Sequence, residues 1–224
     1  MRVKVSIAVL AVVLVLSGCE SEEVRLQEAC DGGDMLACYN LGTMYGSGVG
    51  VPQDMARAAS LREQACDGGL AESCTGLVQI YRKGVGVPQN LARSAAFGQK
   101  ACDGGDMEGC TELGTMYAMG GLGVPQDYER AAALLQKACD GGDMLACYNL
   151  GTMYSSGVGA PQDFARAASL YQQACDEGVA AACHNLGNRY SLGEGVPQDN
   201  TRAASLYLKA CTLGSVEACG AMER

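Results

Sequence analysis

The sequence predicts an all-α solenoid, a superhelix of stacked helix pairs, and three observations carry that prediction. The pair Cys-x7-Cys occurs six times: Cys30 with Cys38, Cys66 with Cys74, Cys102 with Cys110, Cys139 with Cys147, Cys175 with Cys183 and Cys211 with Cys219. The first members stand 36, 36, 37, 36 and 36 residues apart. Self-similarity at a period of roughly 20 to 50 residues marks a repeat array, whose units bury their apolar faces only against their neighbours. Within each unit apolar residues recur at helical spacing, and a proline (Pro52, Pro88, Pro125, Pro161, Pro197) returns at a fixed phase. The short alternating apolar runs that a sheet requires are missing.

The chain opens with a segment outside the array. Arg2 and Lys4 make a basic start, and Val5 to Leu16 is a 12-residue run that is apolar except for Ser6. A helix needs about 20 residues to span a bilayer, so residues 1–18 read as a secretory signal. The run ends in Leu16-Ser17-Gly18-Cys19, which resembles the bacterial lipobox. That resemblance implies cleavage before Cys19 and acylation of its thiol and amine, and two or more acyl chains hold firmly where one does not. The alternative is an ordinary secretory signal with a free Cys19. Residues 19–23 are then the lipidated cysteine and a short polar tether, and residues 24–224 the solenoid. The expected location is the bacterial cell envelope, lipid-anchored on its periplasmic or extracellular face. Cleavage would remove Arg2 and Lys4 but no acidic residue, leaving 14 basic against 25 acidic side chains, a balance of −11. Such acidity argues against nucleic acid, whose phosphates need clustered Lys and Arg, and against broad adsorption to anionic lipids. Membrane contact is expected through the anchor alone.

The array begins with half a unit, Val24 to Cys30, which matches the end of a second helix. Five units follow, and the fourth, Ala138 to Gln173, serves as template. Helix A starts near Asp143, an N-cap after the Gly141-Gly142 break. Cys147, Leu150, Gly151 and Tyr154 fall at i, i+3, i+4 and i+7 and form its apolar stripe. Gly151 would let a neighbouring helix approach closely, at some cost in helix propensity. Ser155 to Gly159 is a turn, and Pro161 is expected to open helix B, where a missing N–H is harmless. Helix B carries Ala167, Leu170, Tyr171 and Ala174 on one face. A stub of helix A, Val216 to Arg224, closes the array.

Each cysteine pair joins the last turn of a B helix to the first turns of the next A helix across a short Asp-Gly-Gly-Asp-like turn. Antiparallel helices so joined can reach the Cα spacing that a disulfide tolerates. The alternative, a metal site, would favour Cys-x2–4-Cys and histidine, whereas the spacing here is seven and the chain holds one histidine, His184. An exported chain also meets an oxidising compartment. Six disulfides are therefore expected, and no metal or cofactor.

Leu41-Gly42-Thr43-Met44-Tyr45 followed by Gly48-Val49-Gly50-Val51-Pro52-Gln53-Asp54 resembles the Sel-1-like repeat, a relative of the tetratricopeptide repeat, and the cysteine pairs resemble its cysteine-rich bacterial branch. The likeness covers residues 24 to 224. Its departures are local: Val78 replaces the glycine of helix A and Leu70 the capping Asp in the second repeat, and the third has an extra loop residue within Gly120 to Gly123. The branch implies, as one functional alternative, binding of β-lactams or peptidoglycan fragments with weak β-lactamase activity. The residues do not supply the chemistry for it. There is no Ser-x-x-Lys, since Ser205 and Lys209 are one residue too far apart, and bridged cysteines cannot act as nucleophiles. His184 shares its column with Tyr39, Thr75, Thr111, Tyr148 and Gly220, which reads as a solvated flank. No catalytic residue is assigned.

The favoured reading is a binding scaffold, for a protein or peptide partner in the cell envelope, acting as a monomer. The family resemblance implies a concave groove lined by A helices. At 100° per residue the face opposite the packed stripe carries two columns. One is Asn40, Gly76, Glu112, Asn149 and Asn185, and the other Thr43, Gln79, Thr115, Thr152 and Asn188. Amides and small hydroxyls there suit an extended peptide backbone, so Asn40, Thr43, Glu112, Thr115, Asn149, Thr152, Asn185 and Asn188 are the candidate groove residues. The plain alternative is a solvated helix face. The tyrosine column Tyr45, Tyr81, Tyr117, Tyr154 and Tyr190 reads as core. The arginine column Arg57, Arg93, Arg130, Arg166 and Arg202 is expected to pair with nearby Asp or Glu.

Overall fold

Two kinds of turn, one built on Gly-Gly and one on Pro-Gln-Asp, cut this chain into short amphipathic pieces, and each piece is a helix. The structure, a computed structural model, describes residues 21–121 and 123–222. The expected signal segment and Cys19 lie outside the described residues. In order the helices are α1 (Glu22–Asp31), α2 (Met35–Ser47), α3 (Met55–Asp67), α4 (Ala71–Lys83), α5 (Leu91–Asp103), α6 (Met107–Met119), α7 (Tyr128–Asp140), α8 (Met144–Ser156), α9 (Phe164–Asp176), α10 (Ala180–Leu192), α11 (Asn200–Thr212) and α12 (Val216–Met222). The even-numbered helices are of type A and the odd-numbered of type B. Each packs on its neighbours in sequence, so the all-α solenoid is the architecture observed. Among the described residues the one β feature is an isolated bridge between Gly121 and Val124, in the loop of the third repeat.

The B helices start later than their prolines. Pro161 is followed by Gln162 and Asp163, and the helix begins at Phe164. The Asp163 carboxylate accepts from the Arg166 N–H at 2.9 Å and so fixes the boundary. Asp54, Asn90, Asp127 and Asp199 cap the other B helices in the same way. The glutamine between proline and cap reaches back to the end of helix A: the Gln162 side-chain amide donates to the Ser155 carbonyl at 2.9 Å, and Gln53, Gln89, Gln126 and Gln198 repeat the bond. Two residues expected in a tether are helical instead. Glu22 and Glu23 belong to α1, because Ser21 caps the helix and two carboxylates favour its positive end. Glu23 also accepts from the Tyr45 hydroxyl.

In the other turn only the second glycine is conformationally required. Gly33, Gly69, Gly105, Gly142, Gly178 and Gly214 take φ between 88° and 96°, a left-handed value that L side chains avoid. The first position is right-handed, with Gly32 at φ −76°, and it accepts Glu177 and Leu213 in the last two turns.

This turn brings every cysteine pair together. Cys30 is bonded to Cys38, Cys66 to Cys74, Cys102 to Cys110, Cys139 to Cys147, Cys175 to Cys183 and Cys211 to Cys219. Their Cα–Cα distances run from 4.5 Å to 4.8 Å, within the span that a disulfide tolerates. Cys38, Cys74, Cys110, Cys147 and Cys183 are buried on the packed faces of their A helices. Cys219, on the short α12, is only half-buried, as is its partner Cys211. Disulfides at every repeat are the chemistry of an oxidising, extracytoplasmic compartment.

Leu41, Leu77, Leu113, Leu150 and Leu186, one in each of the five full A helices, are fully buried, as are the alanines Ala65, Ala101, Ala138 and Ala174. Four of these leucines are followed by a glycine that meets a large side chain from the next B helix. A Cβ on Gly42, Gly114, Gly151 or Gly187 would fall on Arg62, Leu135, Tyr171 or Tyr207. In the second repeat the sizes are exchanged. Val78 is buried on helix A, and the facing position on helix B is Gly98.

Candidate functional site

The exposed face of the A helices holds the predicted groove residues, and the structure divides them. The threonine column is largely committed to the fold. Thr43, Thr115 and Thr152 donate to the carbonyls of Tyr39, Thr111 and Tyr148 one turn back, at 3.0, 2.8 and 3.1 Å. Such back-bonding is the ordinary outlet for a hydroxyl inside a helix. The Thr43 oxygen also accepts from the Arg62 guanidinium (3.3 Å), Thr152 from the Tyr171 hydroxyl (3.3 Å), and the Asn188 side-chain carbonyl from the Tyr207 hydroxyl (2.8 Å). Glu112 accepts from the Gln79 amide at 2.6 Å and pairs with Arg82 at 3.4 Å.

Asn40, Asn149 and Asn185 are different. Asn40 is exposed and the other two are half-buried, and among the described residues no side chain takes up their amides. Near the N-terminal end of the array Thr43, Arg62, Ser47 and Ile80 line an open depression of about 320 Å³ between α2, α3 and α4. The face changes character along the array. Its middle is charged: Glu108 sits among Asp106, Glu112, Asp143 and Glu72, and burial together with these negative charges raises its carboxyl above the usual range. Its C-terminal part is aromatic, with Tyr148 and Tyr171 rings 6.0 Å apart and His184 edge-on to Tyr207 at 5.6 Å. His184 is thus half-buried in a ring contact rather than a solvated flank.

Sequence reasoning missed the B-helix residues Arg62, Tyr171 and Tyr207, which support this face. They share one repeat position and carry planar groups with a donor at the tip, and that recurrence was the available signal. A second pattern also went unread. Thr75 donates to the capping Asp106 of the next A helix (2.7 Å), and Thr111 to the capping Asp143 (2.6 Å). Where the same position is tyrosine, the next cap is apolar: Tyr39 packs in one cluster with Leu70, and Tyr148 in one with Val179. Leu70 and Val179 make no side-chain cap bond.

On the B-helix side the arginine column finds tyrosine first. Arg57, Arg93, Arg130, Arg166 and Arg202 lie over Tyr45, Tyr81, Tyr117, Tyr154 and Tyr190, at 4.3, 4.3, 4.6, 5.4 and 4.5 Å from the ring centroids. Acidic partners are fewer than expected. Arg93 pairs with Glu63 at 2.9 Å and Arg166 with Asp163 at 3.7 Å, whereas Arg57 and Arg202 use Gln27 and Gln172. Tyr45 and Tyr81 are buried, and the other three tyrosines are half-buried under their guanidinium groups. The remaining chemistry-bearing groups have structural neighbours of their own. Ser205 donates to the Arg202 carbonyl at 2.8 Å, and Lys209 pairs with Asp176 at 3.8 Å. No helix among the described residues is long and apolar enough to cross a membrane.

The Sel1 repeat family model matches five consecutive segments, residues 36–70, 71–106, 108–143, 145–179 and 180–215. Among solved structures the chain is similar to c5321, described as a protective antigen of uropathogenic Escherichia coli strains with an SLR fold, at 31% identity and a TM-score of 0.83. That likeness covers 88% of this chain but 42% of c5321, so the chain spans less than half of that relative's length. It is also similar to a Sel1 repeat protein from Oxalobacter formigenes, at 30% identity and a TM-score of 0.76, covering 87% of this chain and 82% of that one. The immunity protein Pa5087 of Pseudomonas aeruginosa, at 21% identity and a TM-score of 0.52, shares the fold over 88% of this chain and 76% of its own. No curated protein matches the chain.

Proposed function

Because the chain belongs to the Sel1 repeat family, a family of repeat scaffolds, we propose that it is a lipid-anchored scaffold of the bacterial cell envelope that binds a protein or peptide partner through the exposed face of its A helices. One observation carries this reading. In a fold where most polar side chains on that face are engaged, the amides of Asn40, Asn149 and Asn185 recur at one repeat position and stand free among the described residues. An amide offers a donor and an acceptor side by side, the complement of a peptide group in extended backbone. The disulfides suit an extracytoplasmic setting, and the signal over residues 1–18 with lipidation at Cys19 would hold the acidic solenoid at the membrane surface. Changing Cys19→Ser should move the protein from the membrane pellet to the soluble fraction, and retention in the pellet would contradict the anchor.

The test of the binding face is affinity capture from envelope extract with the oxidised protein and with a variant carrying Asn40→Ala, Asn149→Ala and Asn185→Ala together. A partner held by these amides should be depleted about tenfold or more by the triple change, since each lost hydrogen bond costs about 1 kcal/mol. Unchanged helicity must accompany the loss. A partner enriched equally by both proteins binds elsewhere, and the proposal then fails.

A further inference from the structure

Repeats one and four are near copies in an array whose other repeats have diverged. Residues 29–61 and 138–170 differ at three positions only, Gly46 against Ser155, Val51 against Ala160 and Met55 against Phe164. The identity includes four residues of the A-helix face: Leu36, Tyr39, Asn40 and Thr43 in α2, and Leu145, Tyr148, Asn149 and Thr152 in α8. The fold does not demand them. The position of Leu36 and Leu145 is Glu72, Glu108 and Ala181 elsewhere, and the position of Tyr39 and Tyr148 is Thr75, Thr111 and His184. Both leucines are more than half exposed, at 56% and 53%. On each helix the leucine stands three residues before the tyrosine and so on the same face, which makes a small apolar patch rather than a lone exposed leucine.

The two patches are also supported alike by unlike residues. Identity ends at residue 61, and the next residue is Arg62 in one copy and Tyr171 in the other. The Arg62 guanidinium lies 5.3 Å from the Tyr39 ring centroid and donates to Thr43 at 3.3 Å. Tyr171 lies 6.0 Å from Tyr148 and donates to Thr152 at 3.3 Å. Different side chains thus present the same surface quartet: an exposed leucine, a tyrosine ring and a free amide beside the threonine, with no formal charge among them. The surroundings differ, since Tyr39 donates to Glu72 at 2.8 Å whereas the corresponding residue beyond Tyr148 is Ala181. What the two patches can recognise in common is therefore uncharged.

We propose that this chain carries two equivalent sites, one on α2 and one on α8, for the same short extended peptide segment, uncharged and bearing an apolar side chain. The apolar side chain rests on the leucine and the tyrosine ring, and a peptide group pairs with the asparagine amide. Three inter-repeat steps separate the sites, about 30 Å at helix spacings of about 10 Å. A partner displaying the segment twice at that distance would gain avidity from the pair. This inference rests on the A-helix face being the binding surface.

The test is calorimetric. A random heptapeptide library is panned on the oxidised protein, and the best capped peptide is titrated into the wild type, Asn40→Ala, Asn149→Ala and the double variant. Two peptides should bind per chain, each single change should weaken one site by about 5- to 30-fold for the one or two hydrogen bonds its amide makes, the other site should keep its affinity within about twofold, and the double change should weaken both. One peptide per chain, weakened by Asn149→Ala and untouched by Asn40→Ala, would overturn the paired sites while leaving the binding face intact. A peptide indifferent to all three changes, or a panning that enriches nothing, would overturn both.

Discussion

At Val78 an A helix carries a branched side chain where the other four full repeats carry glycine, and the bulk is accommodated by Gly98 across the interface. A Cβ placed on Gly98 would lie 3.2 Å from the Leu113 Cβ and 3.6 Å from a Val78 methyl, so the room is already taken. Shape rather than polarity sets the rule, since Arg62, Leu135, Tyr171 and Tyr207 all fill the space that a glycine opposite leaves. Gly98→Leu should therefore destabilise the protein by about 1 to 3 kcal/mol through overpacking. Val78→Gly should also destabilise it, by an emptied volume and by about 1 kcal/mol of helix propensity. The double change rebuilds the arrangement of the other repeats and should recover most of the loss, a coupling of about 1 to 3 kcal/mol in a double-mutant cycle from urea denaturation. Strictly additive losses would mean the two positions do not share the space.

For a helix, the deciding residue is often one outside it. Asp34 caps α2 by accepting from the Leu36 and Ala37 N–H groups, and Asp143 caps α8 in the same way. Asp143 also accepts from Thr111 of the preceding A helix at 2.6 Å, so it joins two repeats as well as starting one. Asp34→Ala should cost about 1 kcal/mol, the usual worth of a cap. Asp143→Ala should cost about 1 kcal/mol more, because the Thr111 hydroxyl, itself buried, loses a charged acceptor. Equal shifts in denaturation midpoint would leave the inter-repeat bond without energetic weight. Both aspartates are legible in sequence as caps, since they stand between a glycine break and an apolar stripe. Asp143's second bond is not, because it depends on which residue of another repeat lies over the cap. The same limit explains the B helices. A proline signals a helix start, yet Asp163 sets the start two residues later by a bond to Arg166 N–H, and Gln162 fastens the loop by a bond across seven residues. The cysteine pairs were fully legible, because a spacing of seven across a tight turn leaves each first cysteine one partner within reach. The A-helix face opposite the packed stripe was legible as two columns. That Asn40, Asn149 and Asn185 stay free while Thr43, Thr152 and Asn188 are engaged depends on Arg62, Tyr171 and Tyr207 reaching over from B helices, which a helical wheel of the A helix cannot show.

The molecule as a whole is a linear array, so its stability should be that of a chain of coupled units rather than of one core. The buried positions that repeat are leucine, alanine, glycine and cysteine, which leaves little apolar area per unit, and the disulfides take up the deficit. Each joins a B helix to the next A helix with a sequence separation of 8, a closed loop worth about 2.5 kcal/mol in the chain-entropy account. Their positions, not only their number, then matter. Replacing both Cys102 and Cys110 by alanine loosens the junction between α5 and α6, in the middle of the array, and leaves halves that can unfold separately. Replacing both Cys211 and Cys219 loosens the junction with the seven-residue α12 at the end, where there is little beyond it to uncouple. In thermal melts followed by circular dichroism the central variant should lose more in Tm and broaden or split its transition. The terminal variant should lose a little helicity early and keep the main transition near that of the wild type. Complete reduction removes all six constraints together and should abolish most of the helical signal near room temperature. Equal shifts for the two variants would point to a single cooperative block, and full helicity in strong reductant would mean that the alanine and leucine packing holds the array without its disulfides.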